Sequence, residues 1–234
     1  MKDLFITVLG KPDGIILFQL IEATQYTIYL SLIAFAGGGI LGALITLMRI
    51  VPRKTPRRVA VSYIWLFQST PLLMLLFLTG LGVPRLIGAD INPWVAAIVS
   101  LTVYASAYLS DVWRGAIESV PQGQWEGSRA LGLGFVPTLR TVILPQAFRI
   151  ALAPTVGFMV QIIKGTSLAY IIGFSDLMTI GKRWANAPVP GSEPFIIFPL
   201  MAVIYFALCY PLTLWSRRLE RKLGNVSKEA AQAA

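Results

Sequence analysis

Residues 122–145, QGQWEGSRALGLGFVPTLRTVILP, form a polar segment between two strongly apolar halves of the chain. Glu126, Arg129 and Arg140 are costly to bury in hydrocarbon, so no continuous membrane helix is expected to pass through this segment. Its first part is rich in helix formers, two glycines then interrupt it, and Pro137 is suited to open a second short helix. We therefore predict two short helices joined by a glycine bend and exposed at one side of a membrane.

The composition of the 234-residue chain is typical of a membrane protein. Hydrophobic residues make up 56% and charged residues 13%, whereas soluble domains carry about 25% charged residues. The mean hydropathy is +0.69. There is no histidine and Cys209 is the only cysteine, which argues against a disulfide framework and a His- or Cys-rich metal site. The N-terminal residues include acids and lack a cleavage site, so we expect no removable signal peptide.

Apolar runs predict an all-α integral membrane protein with about five transmembrane helices, organised as one transmembrane domain over residues 1–234. The run at 26–48 has no charge and would rise about 34 Å as a helix, enough to cross the ~30 Å hydrocarbon layer. Its glycines at 37–39 and 42 favour close helix packing over contact with a solute. The predicted spans are about 22–48, 59–81, 93–111, 146–164 and 194–215, and residues 175–193 are predicted to be an amphipathic loop on the outer side.

The distribution of lysine and arginine predicts the orientation. The loop at 49–58, the region at 111–149 and the tail from 216 hold most of the cations, and such residues favour the cytoplasmic side. The opposite side holds Lys2, Lys11, Arg85, Lys182 and Arg183. We therefore expect the N-terminus outside, the C-terminus in the cytoplasm, and 122–145 as a cytoplasmic loop between spans three and four. Because the net charge of +9 reflects topology, no nucleic-acid partner is predicted.

Two features inside the predicted spans are candidates for a solute pathway. Thr70-Pro71 interrupts the second span next to Gln68, and the freed backbone groups need protein partners or a wet cavity. A simple proline kink explains this pattern equally well. Lys164 ends the fourth span, where an ionisable side chain indicates function by default. Its long stem is equally suited to reach the outer interface.

No catalytic constellation is recognisable in the sequence. Histidine, the usual general base near neutral pH, is missing, and so is the G-x-x-x-x-G-K-[ST] phosphate loop. The acidic residues lie mostly in loops, so a chain of intramembrane carboxylates for proton coupling is not expected. Asp111 and Arg114, three residues apart, favour a local capping ion pair over a gate. We expect no enzymatic activity, no metal ion and no cofactor in this chain, and an energy source in a partner.

With these residues in view, the chain resembles the permease subunits of bacterial ABC importers for polar amino acids, of the histidine, glutamate, glutamine, arginine and opine type. That family has a cytoplasmic loop with an EAA triplet, three residues, a glycine, nine residues, a hydrophobic residue, one more, and Leu-Pro. The same spacing is found here at Glu126-Gly127-Ser128, Gly132, Val142 and Leu144-Pro145. The chain departs from the pattern where glycine and serine replace the two alanines of the triplet.

The resemblance extends over roughly residues 27–215. Its most specific blocks are AYLSDVWRGAIESVPQGQWEGSRALGL (107–133) and LPQAFRIALAPTVGFMVQIIKGTSLAYIIG (144–173). YIWLFQSTPLL (63–73) is similar to the family's Arg-Gly-Thr-Pro region, but Gln68-Ser69 replace Arg-Gly. The family more often has aspartate where Gly165 follows Lys164, so any role of that acid is lost here.

The resemblance implies a multi-subunit, ATP-driven importer in the bacterial inner membrane. Its expected partners are a second permease, identical or homologous, two cytoplasmic ATPase subunits that bind ATP and Mg, a periplasmic or lipid-anchored amino-acid-binding protein, and membrane lipid. The residues expected to contact the ATPase are Glu126, Gly127, Ser128, Ala130, Leu131 and Gly132. The residues proposed for the substrate pathway are Gln68, Thr70 and Lys164.

Other functions are compatible with parts of the sequence. An importer permease for another small polar solute, such as an opine or a compatible solute, fits the same features. A self-sufficient channel or secondary transporter is disfavoured by the missing coupling acids, and a lipid-modifying enzyme by the missing nucleophile–base set. Because every amino acid has a carboxylate, Lys164 alone does not identify which one is carried.

Overall fold

The computed structural model describes residues 6–7 and 10–232, with side chains up to residue 223. The described residues form helices and turns without a β-strand, which confirms the predicted all-α class. In chain order the α-helices are α1 (Asp13–Ile50), α2 (Lys54–Ser69), α3 (Leu72–Phe77), α4 (Val83–Ile87), α5 (Pro93–Glu118), α6 (Gln122–Ala130), α7 (Phe135–Thr138), α8 (Leu144–Thr166), α9 (Leu177–Ala185) and α10 (Pro194–Gln232). Three other helical turns extend them: π-helical turns at Leu78–Gly82 and Leu139–Ile143, and a 3-10 helix at Ser167–Ile172.

Four helical runs of the described residues are long and apolar enough to cross a membrane. They are Asp13–Ile50, Pro93–Glu118, Phe135–Ile172 and Pro194–Leu223. The first has 38 residues, so its length of about 57 Å exceeds the ~30 Å hydrocarbon layer and part of it lies outside. A bent pair of helices, Lys54–Ser69 with Leu72–Ile87, brings the number to five if it counts as one span. The prediction of about five spans is confirmed in this sense.

The second span is broken at the dipeptide that the sequence indicated. The axes of the two halves differ by 97°, because Pro71 has no N–H for the helical hydrogen-bond ladder and its ring clashes with the preceding turn. The Thr70 hydroxyl donates to the carbonyl of Leu66 at 2.8 Å, which satisfies one of the acceptors at the end of α2. The angle is far larger than a simple kink, so the two halves follow different directions.

Close packing of α1 on α5 forms the centre of the fold. A Cβ added at Gly38 would lie 2.4 Å from the Cβ of Ala105, and one added at Gly42 would lie 3.1 Å from the carbonyl oxygen of Ser106. Only glycine permits this approach, so the prediction that these glycines serve helix packing is confirmed at Gly38 and Gly42. Buried leucines and aromatic residues from α1, α5 and α8 complete the cluster around this contact.

The region predicted as a loop at 175–193 contains α9, which packs against α1 and α10. A Cβ added at Gly181 would overlap the Sδ atom of Met201 on α10, and the Trp184 indole N–H donates to the side-chain oxygen of Gln19 on α1 at 2.9 Å. Buried Leu177 anchors the start of the helix. The helix is only nine residues long, which is why the sequence pattern indicated an amphipathic loop.

Candidate functional site

Helix α6 forms the first half of the segment at 122–145, and a glycine turn ends it. Gly132 has φ of +76°, a left-handed conformation that favours glycine. The N–H of Leu133 donates to the carbonyl of Ser128 at 3.0 Å and the N–H of Gly132 to that of Arg129 at 2.9 Å. This is the hydrogen-bond pattern of a Schellman turn. The predicted glycine bend between two short helices, α6 and α7, is therefore present.

The six residues predicted to contact an ATPase do not all share one face of α6. Five of them are exposed: Glu126, Gly127, Ala130, Leu131 and Gly132. Leu131 is 82% exposed. Ser128 is buried and its hydroxyl donates to the carbonyl of Gln124 at 2.7 Å. In this chain Ser128 therefore supports the helix from the inner side, while the other five form its outer surface.

The inner side of α6 is fixed to the rest of the protein. Trp125 packs against a buried cluster that includes Ile117 of α5, Leu139 and Ile143 of the π-helical turn, and Ala147 of α8. The Gln146 side chain also donates to the side-chain oxygen of Gln124 at 3.2 Å. Packed side chains, rather than a flexible linker, therefore connect α6 to α5 and α8.

An ion-pair network joins the ends of α1 and α5 that lie next to this segment. The Asp111 carboxylate accepts from Arg49 of α1 at 2.8 Å and from Arg114 at 3.1 Å, and Arg114 also pairs with Glu118. The predicted pair between Asp111 and Arg114 is present, but Asp111 also ties two helices together. Arg49 lies 62 residues away in the chain, so local spacing gave no indication of this partner.

The residues predicted for the solute pathway lie around the break in the second span. The Gln68 amide donates to the carbonyl of Ala107 on α5 at 3.3 Å, and Thr70 occupies the break itself. A Cβ added at Gly165 would lie 2.9 Å from a methyl carbon of Leu72, so the end of α8 that carries Lys164 lies next to the same break. Lys164 is exposed, and its ammonium group makes no hydrogen bond or ion pair with the described residues, while its backbone carbonyl accepts from the Ser167 hydroxyl at 2.6 Å.

An aromatic cluster between α5 and α8 was missed from the sequence. The ring of Phe158 stacks on Tyr108 with a centroid distance of 5.5 Å and on Tyr104 at 6.2 Å. Both tyrosines are half-buried. Their i, i+4 spacing places them on one face of α5. Ser106, which lies between the two tyrosines in the sequence, hid their shared face. Its hydroxyl forms a hydrogen bond with the Tyr63 hydroxyl of α2 at 2.8 Å instead.

Asp176 is a buried acid that the sequence did not single out. It caps α9, where one carboxylate oxygen accepts from the N–H of Thr179 at 2.9 Å. The other oxygen is buried without a hydrogen-bond partner, as is the hydroxyl of Tyr205 on α10, which faces this acid and the hydroxyls of Thr27 and Thr166. Burial raises the pKa of Asp176 to about 6, although its hydrogen bonds to the start of α9 act in the opposite direction.

Several known proteins are similar to this chain in sequence. Residues 37–225 match the family model described as "Binding-protein-dependent transport system inner membrane component". "Probable amino-acid ABC transporter permease protein YckA" of Bacillus subtilis (strain 168) is 32% identical over 208 residues, which cover 88% of this chain and 89% of the relative. "L-cystine transport system permease protein TcyB" of the same organism is 33% identical over 202 residues, covering 85% and 83%.

Solved structures share the fold of this chain. A chain of the "Crystal structure of an amino acid ABC transporter with histidines" superposes with a TM-score of 0.80 at 28% identity, covering 87% of this chain and 93% of that one. A chain of the inward-facing "MetNI methionine ABC transporter" gives a TM-score of 0.68 at 22% identity, which shows the fold alone. The chain belongs to the family of inner-membrane permease components of binding-protein-dependent transport systems. It is a multi-span membrane protein.

Proposed function

We propose that this chain is the permease subunit of an ATP-driven importer of polar amino acids in a bacterial inner membrane. Relatives named for glutamine, glutamate, arginine and cystine support the solute class. In this proposal the chain, as a single permease domain, forms the pathway together with a second permease. Two cytoplasmic ATPase subunits bind ATP and Mg, and a periplasmic or lipid-anchored binding protein delivers the amino acid.

The observation that carries this proposal is the exposed face of α6 on a firmly packed base. Such a helix is suited to receive a rigid-body movement from a partner and pass it to the spans. The proposed orientation places α6 in the cytoplasm, the N-terminus outside and the C-terminus inside. It rests on the excess of cations near α6, among them Arg49, Arg129 and Arg140.

For the pathway we propose Gln68, Thr70 and Lys164, and we add Tyr104 and Tyr108 from the aromatic cluster between α5 and α8. Transporter sites form where spans are interrupted, because freed backbone groups are tolerated only in protein or in a wet cavity. The 97° break after Thr70 is an interruption of this kind. Tyr104 and Tyr108 offer rings and hydroxyls, which suit a solute with both polar and apolar parts.

The coupling role is tested by replacing Gly127 with arginine. A Cβ at this position meets no atom within 4 Å, and replacing glycine inside a helix removes a penalty of about 1 kcal/mol. The variant should therefore fold. We expect it to lose the ATPase subunit during purification from detergent, because a long cation would occupy the docking face, and to lose ATP-driven uptake in reconstituted vesicles.

Gly127→Ala is the matched control, since it makes the same backbone change without a bulky cation. It should retain the ATPase and uptake at wild-type levels. If Gly127→Arg also kept both, α6 would not be the coupling contact and the proposal for this surface would fail.

A further inference from the structure

Lys164 lies within the run Phe135–Ile172, which is long and apolar enough to cross a membrane, and a free cation is unusual in such a run. It follows Arg149, the charged side chain before it on α8, by 15 residues, which is about 22 Å along a helix. If Arg149 lies at the cytoplasmic interface, Lys164 lies within the outer half of the ~30 Å hydrocarbon layer. At such depth, ionisable side chains face the interior of a helix bundle or a wet cavity.

The surface around Lys164 differs from the lipid-facing surfaces of the protein. Gln161 is also exposed, three residues earlier on the same face of α8. By contrast α10 exposes apolar side chains such as Phe206 and Val203. A glutamine and a lysine side by side are a poor surface for lipid tails, so this face of α8 is directed to the pathway or to the partner permease.

No acid compensates the charge of Lys164 within the described residues. The ion pairs among the described residues join Asp111 with Arg49 and Arg114, and Glu118 with Arg114, and none of them includes Lys164. The next residue is Gly165, which has no side chain, and one ionisable group within electrostatic reach of Lys164 is the neutral thiol of Cys209. Asp176 is fully buried and accepts from the start of α9. The positive charge of Lys164 is therefore available to a solute.

We propose that Lys164 makes the permease itself selective for anionic and neutral amino acids and unfavourable for cationic ones such as arginine and lysine. This inference rests on the proposed import of amino acids and adds the charge class of the solute. A carboxylate that passes Lys164 gains a charge-assisted hydrogen bond, whereas a second carboxylate in the side chain gains further attraction. A cationic side chain meets like charge with no acid nearby, which is costly in a poorly hydrated site.

The test measures direct binding of glutamate, glutamine and arginine to the purified permease–ATPase complex by calorimetry. The binding protein is left out, because it has a specificity of its own. We expect the wild type to bind glutamate at least tenfold more tightly than arginine. Lys164→Gln keeps a polar side chain of similar length and should reduce this ratio about tenfold, and Lys164→Glu should favour arginine.

Arg183→Gln on α9 is the matched control, because it removes one exposed cation elsewhere and should leave the ratio unchanged. Co-purification of the ATPase verifies that each variant is assembled. An equal glutamate-to-arginine ratio in wild type and Lys164→Gln, or a wild-type preference for arginine, would overturn the inference while leaving amino-acid import intact. ATP-driven uptake by the same complex, reconstituted in vesicles with its binding protein, tests the proposed function separately, and that function would fail if no amino acid were transported.

Discussion

At the scale of single residues, Asp176 shows how one buried carboxyl group links helix capping to pH. Its pKa in the folded chain is about 6, above the usual value of about 3.9 for an unfolded chain. The folded state therefore binds more protons between these two values, and the free energy of unfolding falls as the pH rises through that window. Above pH 6 the charged carboxylate is buried and the full penalty applies.

We predict that Asp176→Asn removes this decline. Asparagine is an equally good helix N-cap and carries no charge, so the variant should be at least as stable as the wild type above pH 6. Thermal unfolding in detergent between pH 4 and pH 8 measures the effect. Asp176→Ala is the control for the cap, and should be less stable than Asp176→Asn by about 0.5–2 kcal/mol at every pH. A decline of the same slope in Asp176→Asn would show that another group titrates.

Residue-level features were predictable where the signal was local. Thr70-Pro71 indicated the break and the spacing of Gly132 indicated the turn after α6. The partnership of Asp111 with Arg49 depends on the packing of two helices far apart in the sequence. The burial of Asp176 depends on α9 docking against α1 and α10, which a short amphipathic pattern did not reveal.

At the scale of elements, the contact of α1 with α5 requires glycine at Gly38 and tolerates a larger residue at Gly39. A Cβ at Gly38 would lie 2.4 Å from the Cβ of Ala105, whereas one at Gly39 would lie 3.8 Å from the ring of Trp113, an ordinary contact. The two positions therefore form a matched pair on one helix.

We predict that Gly38→Ala destabilises the protein by about 1–3 kcal/mol, because the two helices must move apart. Gly39→Ala should be neutral or stabilising by up to about 1 kcal/mol, since alanine is the better helix former. Thermal unfolding of both variants in the same detergent measures the difference. Equal effects at the two positions would mean that the helices are not held at glycine distance.

Some features of these helices were predictable from the sequence and others were not. The glycines of α1 and the polar segment between two apolar halves were sufficient to predict close packing and an exposed helix pair. The face of α6 was not predictable, because family spacing treats Ser128 as part of the contact, whereas its burial depends on Trp125 packing below it. The aromatic surface formed by Tyr104, Tyr108 and Phe158 was hidden because it requires two helices to meet.

At the scale of the whole molecule, the proposed function makes the spans, the broken helix and the exposed face of α6 parts of a subunit that moves in response to a partner. The proposal divides the work among subunits: the ATPase hydrolyses ATP, α6 receives the movement, and the spans with Lys164 conduct the solute. A chain that worked alone would need its own source of coupling energy, and the sequence contains neither a phosphate loop nor a series of intramembrane acids.

The most direct test of this account is uptake of radiolabelled glutamine into vesicles that contain either this chain alone or the complete complex with its binding protein. We predict uptake against a gradient only for the complete complex, and only when ATP and Mg are supplied on the ATPase side. The chain alone should stay closed to glutamine with or without ATP. Accumulation of glutamine by the chain alone, or by the complex without ATP, would contradict the account.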